Sequence, residues 1–496
     1  MSMQQKEIFL KHLNEMNHYK QALELMTWDR HTSIPNDGLQ DRLEIVGFFT
    51  EKLHQLQTSD KMVNCFEQFL SSGDSILQQA AQVCKTTYEQ KTNIPKEEYK
   101  AYAMLCSESE AVWHQAKQED NFKLFEPFLE KIVSYKQRFA DYVGYESHIY
   151  DALLQEHEPG LEVKEIDEVF ADLRPMLIDL LQRIKNSEAV VDANLLRVPF
   201  AIEKQKSMSL ALLERIGYKL NKGRMDTSAH PYTFGINPND VRISTYYDEN
   251  DFTRSVFSAM HEGGHGLYEQ NFGTDIQHTL LAEASSMGIH ESQSLLWESF
   301  ISKNKLFWES NRDVLKAYAP QEIQKLDLET FYRSLHQVSP SPIRLEADEV
   351  SYPLHIMIRY ELEKDLISGK IKVSSLPEAW REKSAAYLGV TPSNDTEGVL
   401  QDIHWSSGDF GYFPSYALGY IYAAQLYESI DGALNMEQIY RDQNLHLVKE
   451  WLKEHIYQYG KRKTPLQLLK DTTGKGLQTD AYKTFLQDKY KGIYHL

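Results

Sequence analysis

From Phe9 onward the apolar residues Leu13, Met16, Leu23 and Met26 recur at three- and four-residue steps or their sums, the stripe of a helix that buries one face. Comparable periodicity runs through most of the chain. It is interrupted at Ile34–Gly38, Glu158–Gly160, Thr391–Thr396 and Lys463–Pro465, where Pro, Gly, Asn and Asp supply turn chemistry. These breaks are short and no Gly/Ser- or Pro-rich linker separates them. The pattern therefore predicts a mainly α-helical chain organised as a single domain over residues 1–496, with two lobes as the furthest subdivision.

Residues 230–247 depart from the helical period. His230–Gly235 and Val241–Tyr247 are rich in β-branched and aromatic residues and flank the turn-like Ile236-Asn-Pro-Asn-Asp240, which predicts a β-hairpin. Asp248–Asp251 then offers N-cap candidates, and helical periodicity resumes at Phe252.

Composition narrows the possible partners. The 496 residues are 42% hydrophobic and 25% charged, a globular composition with ample material for a core. Acidic residues outnumber basic ones 72 to 53, for a net charge of −19, so nucleic acid and anionic membrane surfaces are disfavoured partners. No stretch approaches the ~18 apolar residues of a membrane span, and charged residues interrupt the first helix, unlike a secretory leader. Cys65, Cys84 and Cys106 have no metal-ligand spacing and read as buried, reduced thiols of a cytoplasmic protein.

The sharpest chemical signal lies on the helix after the hairpin, at His261-Glu-Gly-Gly-His265. Four residues make 1.1 helical turns, so both imidazoles leave one face about 6 Å apart, as two ligands of a tetrahedral zinc require. Glu262 points about 100° away, near the metal but outside its ligand set. That is peptidase geometry: the metal polarises a carbonyl and acidifies water while the carboxylate carries the proton to the leaving amine. Two glycines mid-helix each cost about 1 kcal/mol against alanine, which predicts close approach of a substrate backbone or a neighbouring helix.

A third ligand is required, and Glu269, Glu283, Glu291 and His290 are within reach in sequence. Glu269 shares the ligand face but lies one more turn along the same helix, where it cannot close around a metal held between the first two. The next helix, expected from about Thr279 to Ser302, is the better source. On it Glu283 lies nearly on the face of His290, so helix geometry leaves Glu283 and Glu291 both open.

Six motifs in order resemble the carboxypeptidase Taq-type family of zinc metallocarboxypeptidases. They are His230-Pro-Tyr232, Asp240-Val-Arg-Ile-Ser-Thr245, His261-Glu-Gly-Gly-His265, His290-Glu-Ser-Gln293, Ile343-Arg-Leu-Glu-Ala-Asp348 and Gly398-Val-Leu-Gln-Asp-Ile-His-Trp405. Trp28-Asp29, Tyr150–Leu154 and Lys489-Tyr490 extend the likeness over essentially the whole chain. Tyr232 stands where the family usually has Phe, and Ser244 where Thr is common.

The resemblance implies a helical zincin-type peptidase fold with a deep active-site groove. It also implies one Zn2+ (Co2+ able to replace it) on His261, His265 and Glu291, with Glu262 as general base. It further implies release of single residues, with broad specificity, from peptides bearing a free C-terminus, and a homodimer. Arg344, with Arg242 as its rival, is a candidate fork for the substrate's terminal carboxylate. His230, His404 and Tyr416 are candidate donors to the oxyanion, His404 close to the substrate and Tyr416 in an expected active-site loop spanning Ser406–Tyr416. Two readings compete. A zinc oligoendopeptidase would lack the conjunction of the arginine motif with Gln401–Trp405, and a binding protein with structural zinc leaves Glu262, an unliganded carboxylate beside an open position, unexplained.

Overall fold

The computed structural model describes residues 3–496. Helix α1 (Met3–Thr32) buries Phe9, Leu13 and Met16 as the stripe predicts, whereas Leu23 and Met26 are only half-buried. The difference arises because the C-terminal half of α1 crosses a small sheet. There Trp28 meets Tyr232 and Phe234 edge-on, with ring centroids 5.3 and 6.2 Å apart. Three long helices, Lys96–Gln118, Phe122–Val143 and Val163–Lys185, precede the sheet. The first of them anchors the loop after residue 398: Tyr102 Oη donates to the Gly408 carbonyl (3.0 Å) and Trp113 Nε1 to that of Leu400 (3.1 Å).

The sheet has three strands, β1 (Gly223–Thr227), β2 (Thr233–Asn237) and β3 (Asp240–Thr245), in the order β1-β3-β2. β2 and β3 form the expected antiparallel hairpin. Its first strand begins at Thr233 rather than at His230, because Pro231 has no N–H to donate to a ladder. β1 pairs parallel to β3, with Gly223 opposite Val241. Sequence patterning did not reveal β1, since Gly-Arg-Met-Asp-Thr carries a single large apolar residue.

Asp251 caps α2 (Phe252–Glu269), its carboxylate accepting from Thr253 N at 3.2 Å. The following helix, α3 (Met287–Leu295), continues as a π-helical stretch over Leu296–Ser302. It starts at Met287, not near Thr279. Thr279 Oγ1 donates back to the Ile276 carbonyl (2.7 Å) and accepts from Leu281 N (3.1 Å), a hydroxyl competing with helical hydrogen bonds. Ser286 supplies the real cap by accepting from Ile289 N. Two further helices complete the surroundings: α4 (Tyr352–Ile367) packs against α5 (Phe413–Leu434), and α5 packs along α3. Tyr416 accordingly lies in the first turn of α5, and only the residues up to Tyr412 form the expected loop.

The glycine pair of α2 is explained by helix packing. A Cβ on Gly264 would sit 2.5 Å from the Gln293 carbonyl oxygen and 2.7 Å from Ser294 Cα, while one on Gly263 would collide with Leu213. On the far side of α3, a Cβ on Gly419 of α5 would lie 2.6 Å from Glu291 Cγ. The buried apolar residues form a cluster running from Phe9 to Tyr494. All three cysteines are buried and free, and burial pushes the Cys84 thiol up to about 12. Among the described residues no helix is long and apolar enough to cross a membrane.

If backbone contact at Gly264 sets the α2–α3 distance, Gly264→Ala should destabilise the protein by about 1–3 kcal/mol. Gly47→Ala, in the helix Leu39–Gln57 where nothing lies within 4 Å of the added methyl, should instead stabilise it by up to about 1 kcal/mol. Urea denaturation of the two variants should give shifts of opposite sign; equal shifts would contradict the packing argument.

Candidate metal centre

His261 and His265 project from one face of α2 with ring centroids 5.0 Å apart and planes at 82°. Glu291 enters from α3, its Oε2 lying 3.9 Å from His261 Nε2 and 3.6 Å from His265 Nε2. One ligand atom from each of the three residues falls within 4.8 Å of the others, and among the described residues no other His, Cys, Asp and Glu group does so. Donors about 2.0–2.2 Å from a shared tetrahedral zinc stand roughly 3.3–3.6 Å apart, so this set fits a divalent cation with little adjustment.

The other candidates for third ligand are engaged elsewhere. Glu283, off the helix altogether, is held between the ammonium groups of Lys20 and Lys461. Glu269 and His290 bond to each other, Oε1 to Nε2 at 3.1 Å.

Two supporting residues escaped the sequence reading. Glu298 Oε2 is 2.8 Å from His261 Nδ1, and its Oε1 accepts from Lys303 Nζ at 2.7 Å. A carboxylate on the far nitrogen fixes the tautomer and ring plane of a metal-binding histidine. The available signal was spacing: Glu298 lies seven residues, about two turns, beyond Glu291. Thr233 of β2 is the second, its Oγ1 donating to Glu262 Oε2 (2.6 Å) and lying 3.0 Å from the Glu262 carbonyl. Strand β2 thereby holds the glutamate that the helix turns away from the donor set.

The electrostatics also ask for a cation. Burial alone would lower His261, but the carboxylates of Glu291, Glu298 and Glu262 outweigh it and push the imidazole up to about 10. Burial and the neighbouring His290 and His261 hold His265 well below the usual range. Glu262 and Glu291 are raised, chiefly by burial. Glu298 is enclosed too, yet Lys303 and His261 bring it down to about 2. Three enclosed carboxylates share Lys303, the His261 proton and the charge of the nearby Arg344, and a divalent cation would displace the proton on His261 as it binds.

A cavity of about 590 Å³ opens beside this cluster, lined by His261, Glu262, Glu298, Pro231, Phe257 and Leu345 among others. Arg344 is buried close to the site and its charge acts on Glu291. Its Nε donates to Asp402 Oδ1 (2.9 Å) and its Nη1 to Tyr352 Oη (3.0 Å), and its guanidinium lies 5.4 Å from the Tyr416 ring centroid. Arg242 is instead clamped by both oxygens of Asp240 (2.8 Å each) and lies 5.9 Å from the ring centroid of Trp28. His404 stacks on Tyr412 and packs against Phe413, with Tyr416 edge-on 6.3 Å away. His230 is exposed on the bend before β2. The structure thus places Arg344 and Tyr416 near Glu291, with His404 beside Tyr416, and leaves Arg242 bound within the sheet and His230 next to the cavity-lining Pro231. Ser244 uses its hydroxyl to accept from Tyr232 N (3.0 Å) and Ser228 Oγ (2.8 Å), so the serine at that position retains a structural hydrogen bond.

The family model described as carboxypeptidase Taq (M32) metallopeptidase matches residues 8–490. Carboxypeptidase 1 of Bacillus subtilis (strain 168) is 41% identical over 492 residues, covering 98% of each chain. Thermostable carboxypeptidase 1 of Thermus thermophilus is 35% identical over 490 residues, 95% of each chain. Among solved structures, the M32 carboxypeptidase from Deinococcus radiodurans R1 superposes with a TM-score of 0.96 at 29% identity, covering 99% of this chain and 100% of that one.

The geometry predicts an ordered response of metal content. Glu291→Ala should abolish stoichiometric zinc, Glu298→Ala should weaken zinc binding roughly 10–100-fold, and Glu283→Ala should leave it unchanged. Zinc retained after dialysis against graded chelator measures all three; loss in Glu283→Ala with retention in Glu291→Ala would relocate the third ligand.

Proposed function

Because the chain belongs to the carboxypeptidase Taq (M32) metallopeptidase family and is a metallocarboxypeptidase, we propose that it uses zinc to release single residues, with broad specificity, from the free C-terminus of peptides. The observation that carries this reading is Glu262, buried beside the His261–His265–Glu291 donor set and tethered to Thr233 rather than to the donors. A purely structural site has no use for such a carboxylate.

When bound, zinc supplies Lewis acidity at the scissile carbonyl and lowers the pKa of water. Glu262 takes the proton of the attacking water and delivers it to the departing amine, and its burial-raised affinity for protons suits that shuttle. The Thr233 hydroxyl holds one carboxylate oxygen and so fixes the direction of transfer. Tyr416 and His404, on the α5 side, are our candidates for donors to the developing oxyanion; His230, exposed next to Pro231, stands at the edge of the cavity.

Arg344 is the better receptor for the substrate carboxylate. A guanidinium carries five N–H donors, and Asp402 and Tyr352 engage at most three of them. The rest remain for a substrate, on a side chain already buttressed and oriented. Arg242 spends its fork on Asp240. From the family likeness we also propose a homodimer, and from the free, buried cysteines a cytoplasmic setting; sedimentation equilibrium at the 57.6 kDa of one chain would refute the dimer.

Glu262→Gln should keep zinc and lose about 10²-fold or more in turnover; loss of zinc in that variant would contradict its role on the water. Amidating the peptide C-terminus should cut turnover sharply, with N-terminal acetylation nearly neutral. Arg344→Ala should abolish the preference for the free acid while zinc stays bound. Internal cleavage of an amidated peptide at the rate of the free acid would instead indicate an endopeptidase.

A further inference from the structure

The two metal-binding imidazoles are supported differently. His261 is fixed through Nδ1 by Glu298 (2.8 Å), whereas no carboxylate reaches His265 Nδ1. What His265 has instead is a neighbour: the His290 ring lies face to face with it, centroids 4.2 Å apart and planes within 16°. His290 is not itself in the donor set.

We propose that His290 is a positioning residue for the metal centre, the stacked backing that fixes the ring plane of His265. Three observations build the device. Glu269, one turn beyond His265 on α2, bonds His290 Nε2 at 3.1 Å and sets the azimuth of the ring. Glu269 itself crosses Gly235 of β2 so closely that a Cβ there would collide with its Oε2, so the carboxylate is confined by the sheet. Tyr268 also meets the His290 ring, tilted by 35° with centroids 5.9 Å apart, and itself stacks on the buried Tyr457 at 5.2 Å. Aromatic rings in an enclosed site favour offset-stacked contact, so a His290 ring held by Glu269 pre-orients the His265 ring stacked on it before any metal arrives. A preorganised ligand loses less freedom on binding and therefore binds more tightly. α2 supplies Glu269 and α3 supplies His290, so the same inter-helix contact that delivers Glu291 also delivers the backing for His265.

The inference rests on the metal-centre reading, and the test separates the two. The full-length protein, stripped with chelator, is titrated with zinc against a competing chromophoric chelator, as wild type, His290→Phe and His290→Leu. Phe keeps an aromatic face and loses the nitrogens; Leu keeps bulk and loses the face. The expected result is a zinc Kd raised roughly 10–100-fold in His290→Leu, the range typical of lost ligand support, and unchanged within about threefold in His290→Phe. The visible bands of the cobalt-substituted protein should move in the Leu variant alone. Wild-type affinity in His290→Leu, or equal weakness in both variants, would overturn the proposal. Should His290→Leu not fold, Glu269→Ala frees the ring without removing it and should raise Kd roughly threefold or more; an unchanged Kd would overturn the proposal equally. A wild-type protein that binds no zinc would instead refute the metal centre itself.

Discussion

The site depends on how closely two helices approach. α2 carries both imidazoles and α3 carries the carboxylate, and the distance between them is set where Gly264 lies against the backbone of Gln293 and Ser294. A methyl group at that point would separate the helices and carry Glu291 Oε2 further from the two imidazole nitrogens, which it faces at 3.9 and 3.6 Å. The same contact brings His290 onto His265 and Glu298 onto His261. α5 closes from behind through Gly419, which lets the stem of Glu291 lie flat against it.

Charge supplies the second half of the argument. Enclosing Glu262, Glu291 and Glu298 together is costly unless something positive joins them. Lys303 answers Glu298, and Thr233 gives Glu262 a neutral donor whose lowering of its proton affinity burial outweighs. Glu291 has the imidazoles of the donor set and, beyond them, the charge of Arg344. A protein that holds groups in this way has stored the binding energy for a cation in its fold, and a metal that binds only the native state stabilises that state in return.

Much of this was legible in residue order because it is local. The helix bearing His261 and His265, its Asp251 cap, the β2–β3 hairpin and the meaning of the glycine pair all follow from spacing and side-chain chemistry within a few turns. What spacing could not settle was long-range. Spacing leaves Glu283 and Glu291 equivalent; in the structure α3 starts at Met287 under its Ser286 cap, and Glu283 is left to two lysines from distant segments. β1 stayed hidden because it holds too little apolar surface to show alternation. Glu298 and Thr233 were missed because residues that act through another residue carry no motif of their own.

The central claim is that α2 and α3 assemble a three-residue cation site with Glu262 next to it and outside the coordination. Anomalous diffraction at the zinc edge from crystals of the metal-loaded protein tests it most directly. The account predicts one strong peak about 2.0–2.2 Å from His261 Nε2, His265 Nε2 and Glu291 Oε2, with Glu262 too far to coordinate. A peak ligated by Glu262, Glu269 or Glu283, or none between the two helices, would contradict it.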